Sequence, residues 1–358
     1  MTEKIDIASM SIEELRDFLI SIGEKGFRAG QIFSWLSRGV PFSEMTNLSK
    51  PLREKLSDLC LDTLPKVEVK LVSKIDGTVK YLFRLFDGEC IESVFMRYKH
   101  GNTICISSQV GCRMGCEFCA STIGGKVRDL LPSELLGQII AAEKDMGERI
   151  SNVVMMGIGE PLDNYDNVVK FLKLVNLEGG LNIGYRHISL STSGIVPGIL
   201  KLAEEELPIT LSISLHAATD EARSDIMPIN KKWNIEALLG ACLAYYKKTG
   251  RRISFEYTLI SGKNDTEADA NELAALLKGA FRTTGAPIHV NLIRVNEVKE
   301  TGFKKGSAES ANSFAKALEK QGVVATVRRR LGADVNAACG QLRRSSMQKN
   351  QEKQEVED

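Results

Sequence analysis

"CISSQVGCRMGCEFCAST", residues 105 to 122, places four of the chain's eight cysteines within fifteen positions. Cys112, Cys116 and Cys119 follow the spacing C-x3-C-x2-C, just after a short apolar run, Thr103 to Ile106, that reads as a strand. Three thiolates can hold three irons of a [4Fe-4S] cluster and leave the fourth iron open, whereas electron-transfer ferredoxins use four cysteines. Zinc is the alternative reading; it needs a fourth ligand to close its tetrahedron, which Cys105 could supply. In a reducing compartment such close spacing points to metal ligands or reactive thiols rather than structural disulfides.

Working outward, strand-like runs recur at Asn152 to Met156, His187 to Leu190, Ile209 to Leu215, Ile253 to Ile260, Ile288 to Ile293 and Val323 to Val327, with amphipathic helical stretches between them. Six strand-helix units with right-handed crossovers predict an α/β fold, a parallel sheet curled into a partial (β/α)6 barrel. In such sheets ligands collect at the C-terminal strand ends. Upstream, Val67 to Tyr98 alternates, with Asp76-Gly77 and Asp87-Gly88 at hairpin positions, which predicts a small antiparallel β extension. The first sixty residues read as helical, opening on a capping box of Ser11 and Glu14. The expected organisation is a helical accessory domain over 1–62, the extension over 63–99, the barrel over 100–342 and a disordered tail over 343–358.

Of 358 residues, 43% are hydrophobic and 26% charged, which is ordinary globular usage. A formal net charge of +1 argues against a globally basic nucleic-acid coat but allows a local patch. No signal-peptide core precedes residue 30 and no run of about eighteen apolar residues occurs, so a cytoplasmic protein without a membrane span is expected.

With the cysteine spacing on a first barrel loop, the chain resembles the radical S-adenosylmethionine (SAM) enzymes. In those enzymes the open iron chelates SAM, and an electron from the cluster cleaves the sulfonium to a 5'-deoxyadenosyl radical. The resemblance implies a SAM site along the strand ends. "MMGIGEP" puts Gly157 and Gly159 after the second strand, with Glu160 as acceptor for the SAM ammonium. Ser191 in "SLSTSG", Ser214, Leu215 and His216 in "SISLHA", and Asn296 in "NLIRVN" complete the set. Singly, His216 also reads as a hydrogen-bonded core histidine and Gly157 as a turn glycine.

Cys339, in "GADVNAACGQL", has no metal-ligand spacing to another cysteine, and a lone cysteine is commonly a small buried hydrophobe. However, "CISSQVGC", "MGIGEPLDNYDNV", "STSG", "SLHA", "MPINKKWNIE" and "DVNAACGQL" together resemble the RlmN/Cfr family, which methylates an adenine ring carbon in RNA. The resemblance runs from about residue 12 to Leu342. It implies that Cys339 is first methylated by one SAM, and that a second SAM yields the radical that activates this methyl for addition to the base. It also implies that Cys105 resolves the protein-RNA adduct by forming a disulfide with Cys339. Glu92 matches the family's proton acceptor, although its strand context reads equally as a solvent-facing position. Cys60, Cys90 and Cys242 read as packing residues.

The resemblance is closer to the C2 branch, whose substrates are one adenosine of the 23S rRNA peptidyl-transferase centre and adenosine 37 of certain tRNAs. The alternative is C8 methylation, a flavour of which "MRYKHGNTICISSQ" carries; a rival of another class is a non-catalytic, metal-stabilised RNA-binding module. Glu297 stands after Asn296 where the family has proline. The implied partners are 23S rRNA, tRNA and an electron donor such as flavodoxin, acting on a monomer. Arg328, Arg329 and Arg330 before Cys339, and Arg343 and Arg344 after it, form the first candidate phosphate surface; Lys25, Arg28, Arg38 and Arg53 form the second.

Overall fold

The computed structural model describes residues 4–296, 302–335, 340 and 342–343. Ser11 caps the first helix, α1 (Ile12–Ser21), as its sequence predicts. Its hydroxyl accepts from the Glu14 N–H at 3.2 Å, and the Glu14 carboxylate accepts from the Ser11 N–H at 2.7 Å. Two further helices, α2 (Ala29–Leu36) and α3 (Lys50–Leu59), close a small apolar cluster with it through Leu15, Leu19, Ile32 and Leu56.

Strands β1 (Lys66–Val72), β2 (Val79–Arg84) and β3 (Cys90–Tyr98) then form an antiparallel meander, and β4 (Gly101–Cys105) pairs antiparallel with β3. Next comes a two-stranded ribbon, β5 (Gln109–Gly111) against β6 (Lys126–Asp129). From there helix and strand alternate: α4 (Pro132–Met146), β7 (Asn152–Met155), α5 (Tyr165–Asn176), β8 (Ile188–Thr192), α6 (Val196–Glu204) and β9 (Thr210–Ser214). The series continues with a short α7 (Asp220–Ile226), α8 (Ile235–Thr249), β10 (Ile253–Leu259), α9 (Glu267–Phe281), β11 (Ile288–Arg294), α10 (Ala308–Lys320) and β12 (Val324–Val327).

Strands β4, β7, β8, β9, β10, β11 and β12 lie parallel in chain order, so all their C-terminal ends share one edge. The expected parallel strands appear within two residues of their sequence positions. Two features go beyond expectation. The meander continues the barrel sheet through β3 and β4 instead of forming its own sheet. The β5–β6 ribbon, too short to show alternation, brackets the cysteine loop.

Alternation divides the sheet into two faces. In β10, Phe255 packs on Phe281 of α9 and Tyr257 on Phe314 of α10, while Ser254, Glu256 and Thr258 point to the other side. That second face is polar. Ser189 meets Ser212 at 3.1 Å, Asn291 donates to Glu256 at 2.7 Å, and His289 bridges Ser254 and Thr326 at 3.0 Å each. The segment after β12 crosses this face to pack Leu331 with Val94, Met96, Cys105, Val154 and Met156. The sheet is therefore curled.

The helical region sits against α4 and α5. Leu174 of α5 joins its core, and Ser133 at the start of α4 donates its hydroxyl to Asp6 at 2.8 Å and its N–H to Ser9 at 2.9 Å. Among the described residues no helix is long and apolar enough to cross a membrane.

Phe255 meets Phe281 edge-on, with ring centroids 5.7 Å apart. Replacing Phe255 with Ala is expected to cost about 3–5 kcal/mol through the cavity left in the core. The check is a lower urea midpoint with an unchanged slope.

Candidate active site

The cysteine loop stands on the β5–β6 ribbon. The Cys112 N–H donates to the Gly125 carbonyl at 3.0 Å, closing the loop at its base, and the Cys119 N–H donates to the Cys116 carbonyl at 3.1 Å. At its tip the Glu117 N–H reaches the Ile226 carbonyl at the end of α7, at 3.0 Å. Asp163 moors the ribbon, accepting from Gln109 at 2.9 Å, from Lys126 at 3.0 Å and from Arg113. Burial works against its charge, but these donors win and hold its carboxyl below the usual range. Asp163 lies inside the quoted "MGIGEPLDNYDNV" and had no role assigned from sequence, because a loop aspartate ordinarily reads as solvated.

Burial pushes the Cys112 thiol up to about 12, and it pushes the Cys116 thiol well above its ordinary value, with the Cys119 and Cys112 thiols and Glu160 adding to it. Thiols bind metal as thiolates, so these buried sulfurs suit a site completed by a cationic group. Three soft donors on one loop fit an iron-sulfur cluster with one open iron. Among the described residues no three His, Cys, Asp or Glu side chains are placed to hold a single metal ion. A cluster that engages each thiolate through a different iron does not require such convergence.

The other expected residues gather along the same sheet edge. Cys105 ends β4, Glu160 follows β7, Ser191 is the last but one residue of β8, Ser214 ends β9, Leu215 and His216 follow it, and Asn296 stands exposed two residues beyond β11. Glu160 is buried and accepts the N–H groups of Leu162 at 3.0 Å and Ser193 at 2.7 Å, so it ties the β7 loop to the β8 loop. Burial raises its carboxyl, against the pull of the Ser193, Thr192 and Leu162 donors.

Gly157 and Gly159 have a packing role that the sequence did not show. A Cβ on Gly157 would stand 2.6 Å from the Ile106 carbonyl oxygen, and one on Gly159, at φ +105°, 2.7 Å from the Gln109 nitrogen. Both glycines are therefore required first by the close approach of the chain after β4.

His216 is held at φ +60° and buried. Its Nδ1 accepts from the Thr258 N–H at 2.9 Å, which leaves the proton on Nε2, and its ring stands edge-on to Phe118 of the cysteine loop, with centroids 4.9 Å apart. Burial first, then the charge of Arg223, lowers the imidazole to about 3. The ring is neutral at ordinary pH.

Arg223 escaped the sequence reading, since an arginine on a short polar helix ordinarily faces water. It is fully buried. Its guanidinium donates to the carbonyls of Ser193 at 2.6 Å, Ser214 at 3.0 Å and Leu215 at 3.1 Å, and to Asn230 Oδ1 at 2.9 Å. Burial lowers it to about 10, partly offset by Cys116 and Asp220, so it remains a cation. Glu256, likewise unassigned from sequence, is buried on the polar face with its carboxyl raised by desolvation.

Glu92 is buried, which settles its strand context against the solvent-facing reading. Its carboxylate pairs with the buried Lys80 at 3.0 Å and accepts the N–H groups of Gly340 at 2.8 Å and Arg343 at 2.7 Å. Val94 lies opposite Cys105 in the β3–β4 register, so alternation puts Glu92, Val94 and Cys105 on one face. Gly340, at φ +80°, abuts the loop just past Cys119: a Cβ there would stand 2.8 Å from the Ser121 nitrogen. Cys339 itself, Arg344 and nearly all of the expected tail lie outside the described residues.

The basic run does not act as one surface. Arg329 and Arg330 are exposed, whereas Arg328 is half-buried with its guanidinium 4.0 Å from the Met156 sulfur. Arg343 is buried and paired with Glu89 at 3.3 Å. In the helical region Arg38 donates to the Ser34 carbonyl and lies over Trp35, and Arg53 donates to the Ser43 carbonyl, while Lys25 is exposed. Cys60 and Cys242 are buried, as packing residues are; Cys90 is half-exposed at the start of β3. No disulfide joins the described cysteines.

Two family models match the chain: the radical SAM superfamily over residues 106–274, and the ribosomal RNA large subunit methyltransferase N-terminal domain over residues 5–61. The chain is 55% identical over 347 residues to a probable dual-specificity RNA methyltransferase RlmN of Alkaliphilus oremlandii, covering 97% of this chain and 99% of that protein. A protein of the same description from Clostridium tetani is 52% identical over 351 residues, covering 98% and 99%. A crystal structure of a radical SAM methyltransferase from Sphaerobacter thermophilus superposes with a TM-score of 0.88 at 40% identity, covering 94% of this chain and 98% of that one.

Replacing Arg223 with Met takes the guanidinium from the Ser193 and Ser214 carbonyls and leaves the Leu215 carbonyl only the Ala217 N–H, and is expected to cost about 3 kcal/mol. Urea unfolding measures the loss, and equilibrium dialysis should show weakened SAM binding. A second expectation concerns pH. The unfolded imidazole of His216 takes a proton near its ordinary 6.5, while the folded one resists it down to about 3. The native state thus binds fewer protons in that window, and stability is complete above 6.5 and lost progressively as pH falls toward 3. Unfolding midpoints from pH 7.5 to 4.5 should decline less steeply in a His216→Asn variant.

Proposed function

The chain belongs to the RlmN family of radical SAM RNA methyltransferases, and from that premise we propose that it methylates C2 of adenosine in 23S rRNA and in tRNA. The targets are one adenosine of the peptidyl-transferase centre and adenosine 37 of certain tRNAs, with an S-methylcysteine at Cys339 and two SAM molecules per turnover. One observation carries the reading: the carboxylate of Glu92 holds Gly340, the residue after Cys339, against the loop of Cys112, Cys116 and Cys119.

In this reading Cys112, Cys116 and Cys119 hold the [4Fe-4S] cluster, and Gly159, Glu160, Ser191, Ser214, Leu215, His216 and Asn296 form the SAM site. Bound there, cluster and SAM supply a carbon-centred radical by one-electron cleavage of the sulfonium. An aromatic amidine carbon is not nucleophilic, so direct methyl transfer to it would be slow. Cys339 would therefore carry the methyl as a thioether; the radical would take one hydrogen atom from that methyl, the methylene radical left on Cys339 would add to C2 of the base, and the adduct's unpaired electron would return to the one-electron-oxidised cluster as the ring proton leaves. Glu92 accepts the ring proton. Cys105, as thiolate, then attacks the Cys339 sulfur: the S–S bond forms, the S–C bond breaks with its electron pair on carbon, and a proton completes the methyl group.

A stacked base must leave its helix to reach a buried site. Arg329 and Arg330 by the site, with Lys25 and Arg28 of the helical domain (residues 1–62), are the basic residues assigned to the RNA backbone. The antiparallel strands over 63–99 and the barrel over 100–342 complete the proposed domains. A reduced flavodoxin-like donor, action as a monomer and a cytoplasmic site complete the proposal.

Anaerobically reconstituted protein, given SAM, reductant and an rRNA fragment, should yield 2-methyladenosine on nuclease digestion; an 8-methyl product would overturn the regiochemistry. Replacing Cys339 with Ala should abolish both RNA methylation and methylation of the protein. Replacing Cys105 with Ala should leave RNA covalently trapped, visible as a shifted band, and an RNA pool left free and unmodified would refute that role.

A further inference from the structure

The meander β1–β3 takes no part in the chemistry above except through Glu92, yet the chain beyond β12 is bonded to it on both sides of the stretch that contains Cys339. Upstream, Asp334 accepts from the Ser73 hydroxyl at 2.7 Å and from the Lys74 N–H at 2.8 Å, and the Gly332 N–H donates to Asp76 Oδ2 at 2.9 Å. The turn that offers these partners is itself braced. Ser73 Oγ accepts the N–H groups of Ile75 and Asp76, Asp76 Oδ1 accepts from Thr78 at 3.0 Å, and the Ser73 N–H donates to the Thr78 carbonyl at 2.8 Å. Burial opposes the Asp76 charge, but the Gly332 and Thr78 N–H donors hold its carboxyl down at about 2. Downstream, Glu92 holds Gly340 and Arg343, and Glu89 holds the Arg343 guanidinium.

The two attachments are unequal in span to the chain between them. Val79, just after the turn, lies opposite Phe95, three residues along β3 from Glu92. At about 3.3 Å per strand residue the clamps stand roughly 10–15 Å apart along the strand. The six steps from Asp334 to Gly340 can reach roughly 20 Å. Both flanks, Gly332 to Asp334 and Gly340 to Arg343, are thus fixed to one sheet and cannot drift independently.

We propose that Ser73, Asp76 and Asp334 are positioning residues for the methyl transfer: with Glu92 they make the meander a two-ended dock that sets the place from which Cys339 acts. The inference rests on the role proposed for Cys339. None of the three side chains is among the residues assigned to the cluster, the SAM site or the chemistry, so they act through the docked segment alone.

The test uses full-length, cluster-reconstituted Asp334→Ala and Asp76→Ala variants, with Asp334→Asn as the conservative control that keeps one acceptor oxygen. Reductive cleavage of SAM without RNA should stay within about twofold of the parent, which shows cluster and SAM site intact. For RNA methylation, kcat should fall about tenfold or more in the alanine variants, because small misplacements of reacting groups are costly. KM for RNA should change little, the share of covalent protein-RNA adduct should rise, and Asp334→Asn should recover part of the rate. A kcat within about twofold of the parent in both alanine variants overturns the proposal. So does a fall in SAM cleavage that keeps step with methylation, since the contacts would then only support the fold. If the parent protein methylates no RNA, the functional reading fails separately. The dock is then judged on alkylation of Cys339 by iodoacetamide: a rate altered about fivefold or more in the variants upholds it, and an unchanged rate overturns it.

Discussion

A guanidinium stripped of water must find acceptors for its N–H groups, and the fold around the site is arranged to supply them to Arg223. Its four hydrogen bonds join the end of β8, the end of β9 and the turn at Asn230 into one unit. The same unit accounts for the backbone of His216. A left-handed φ on a non-glycine residue is unfavourable, and here it is imposed from both sides. Arg223 holds the Ser214 and Leu215 carbonyls, while the Glu256 carbonyl accepts the N–H groups of Leu215 and His216. His216 is thereby set edge-on to Phe118, so the β9 end and the cysteine loop are positioned together.

Carboxylates do the corresponding work for the loops. Glu160 links the chain after β7 to that after β8, Asp163 moors the cysteine ribbon, and Glu92 fixes the start of the last described segment. Hydrogen bonds to an ionised acceptor are the stronger kind, and each spans elements far apart in sequence. The edge of the sheet is consequently pre-shaped by these carboxylates. The meander is likewise tied to the chain beyond β12.

Family membership makes the chain an RNA methyltransferase, and the disposition of charge is consistent with a substrate held at discrete points. The arginines have different environments: Arg329 and Arg330 meet solvent, while Arg328 turns toward Met156 and the Arg343 guanidinium pairs with Glu89. A near-neutral net charge and a few exposed cations suit local phosphate contacts better than a broad electrostatic coat.

The parallel strands, the first helix cap and the grouping of the expected residues at one sheet edge were legible in the sequence, because two-residue and 3.6-residue periodicity and the C-x3-C-x2-C spacing are local properties of the chain. The family was legible through longer strings such as "DVNAACGQL". What tertiary structure alone decided are the roles that depend on burial and on partners remote in sequence. Arg223 and Glu256 become interior groups only when the sheet curls. Gly157 and Gly159 prove to accommodate the chain after β4, and Glu92 acquires Lys80, Gly340 and Arg343 as partners, the last two about 250 positions away. A charged residue's cost and use are set by how much water it loses and who replaces that water, and no window of sequence contains that information.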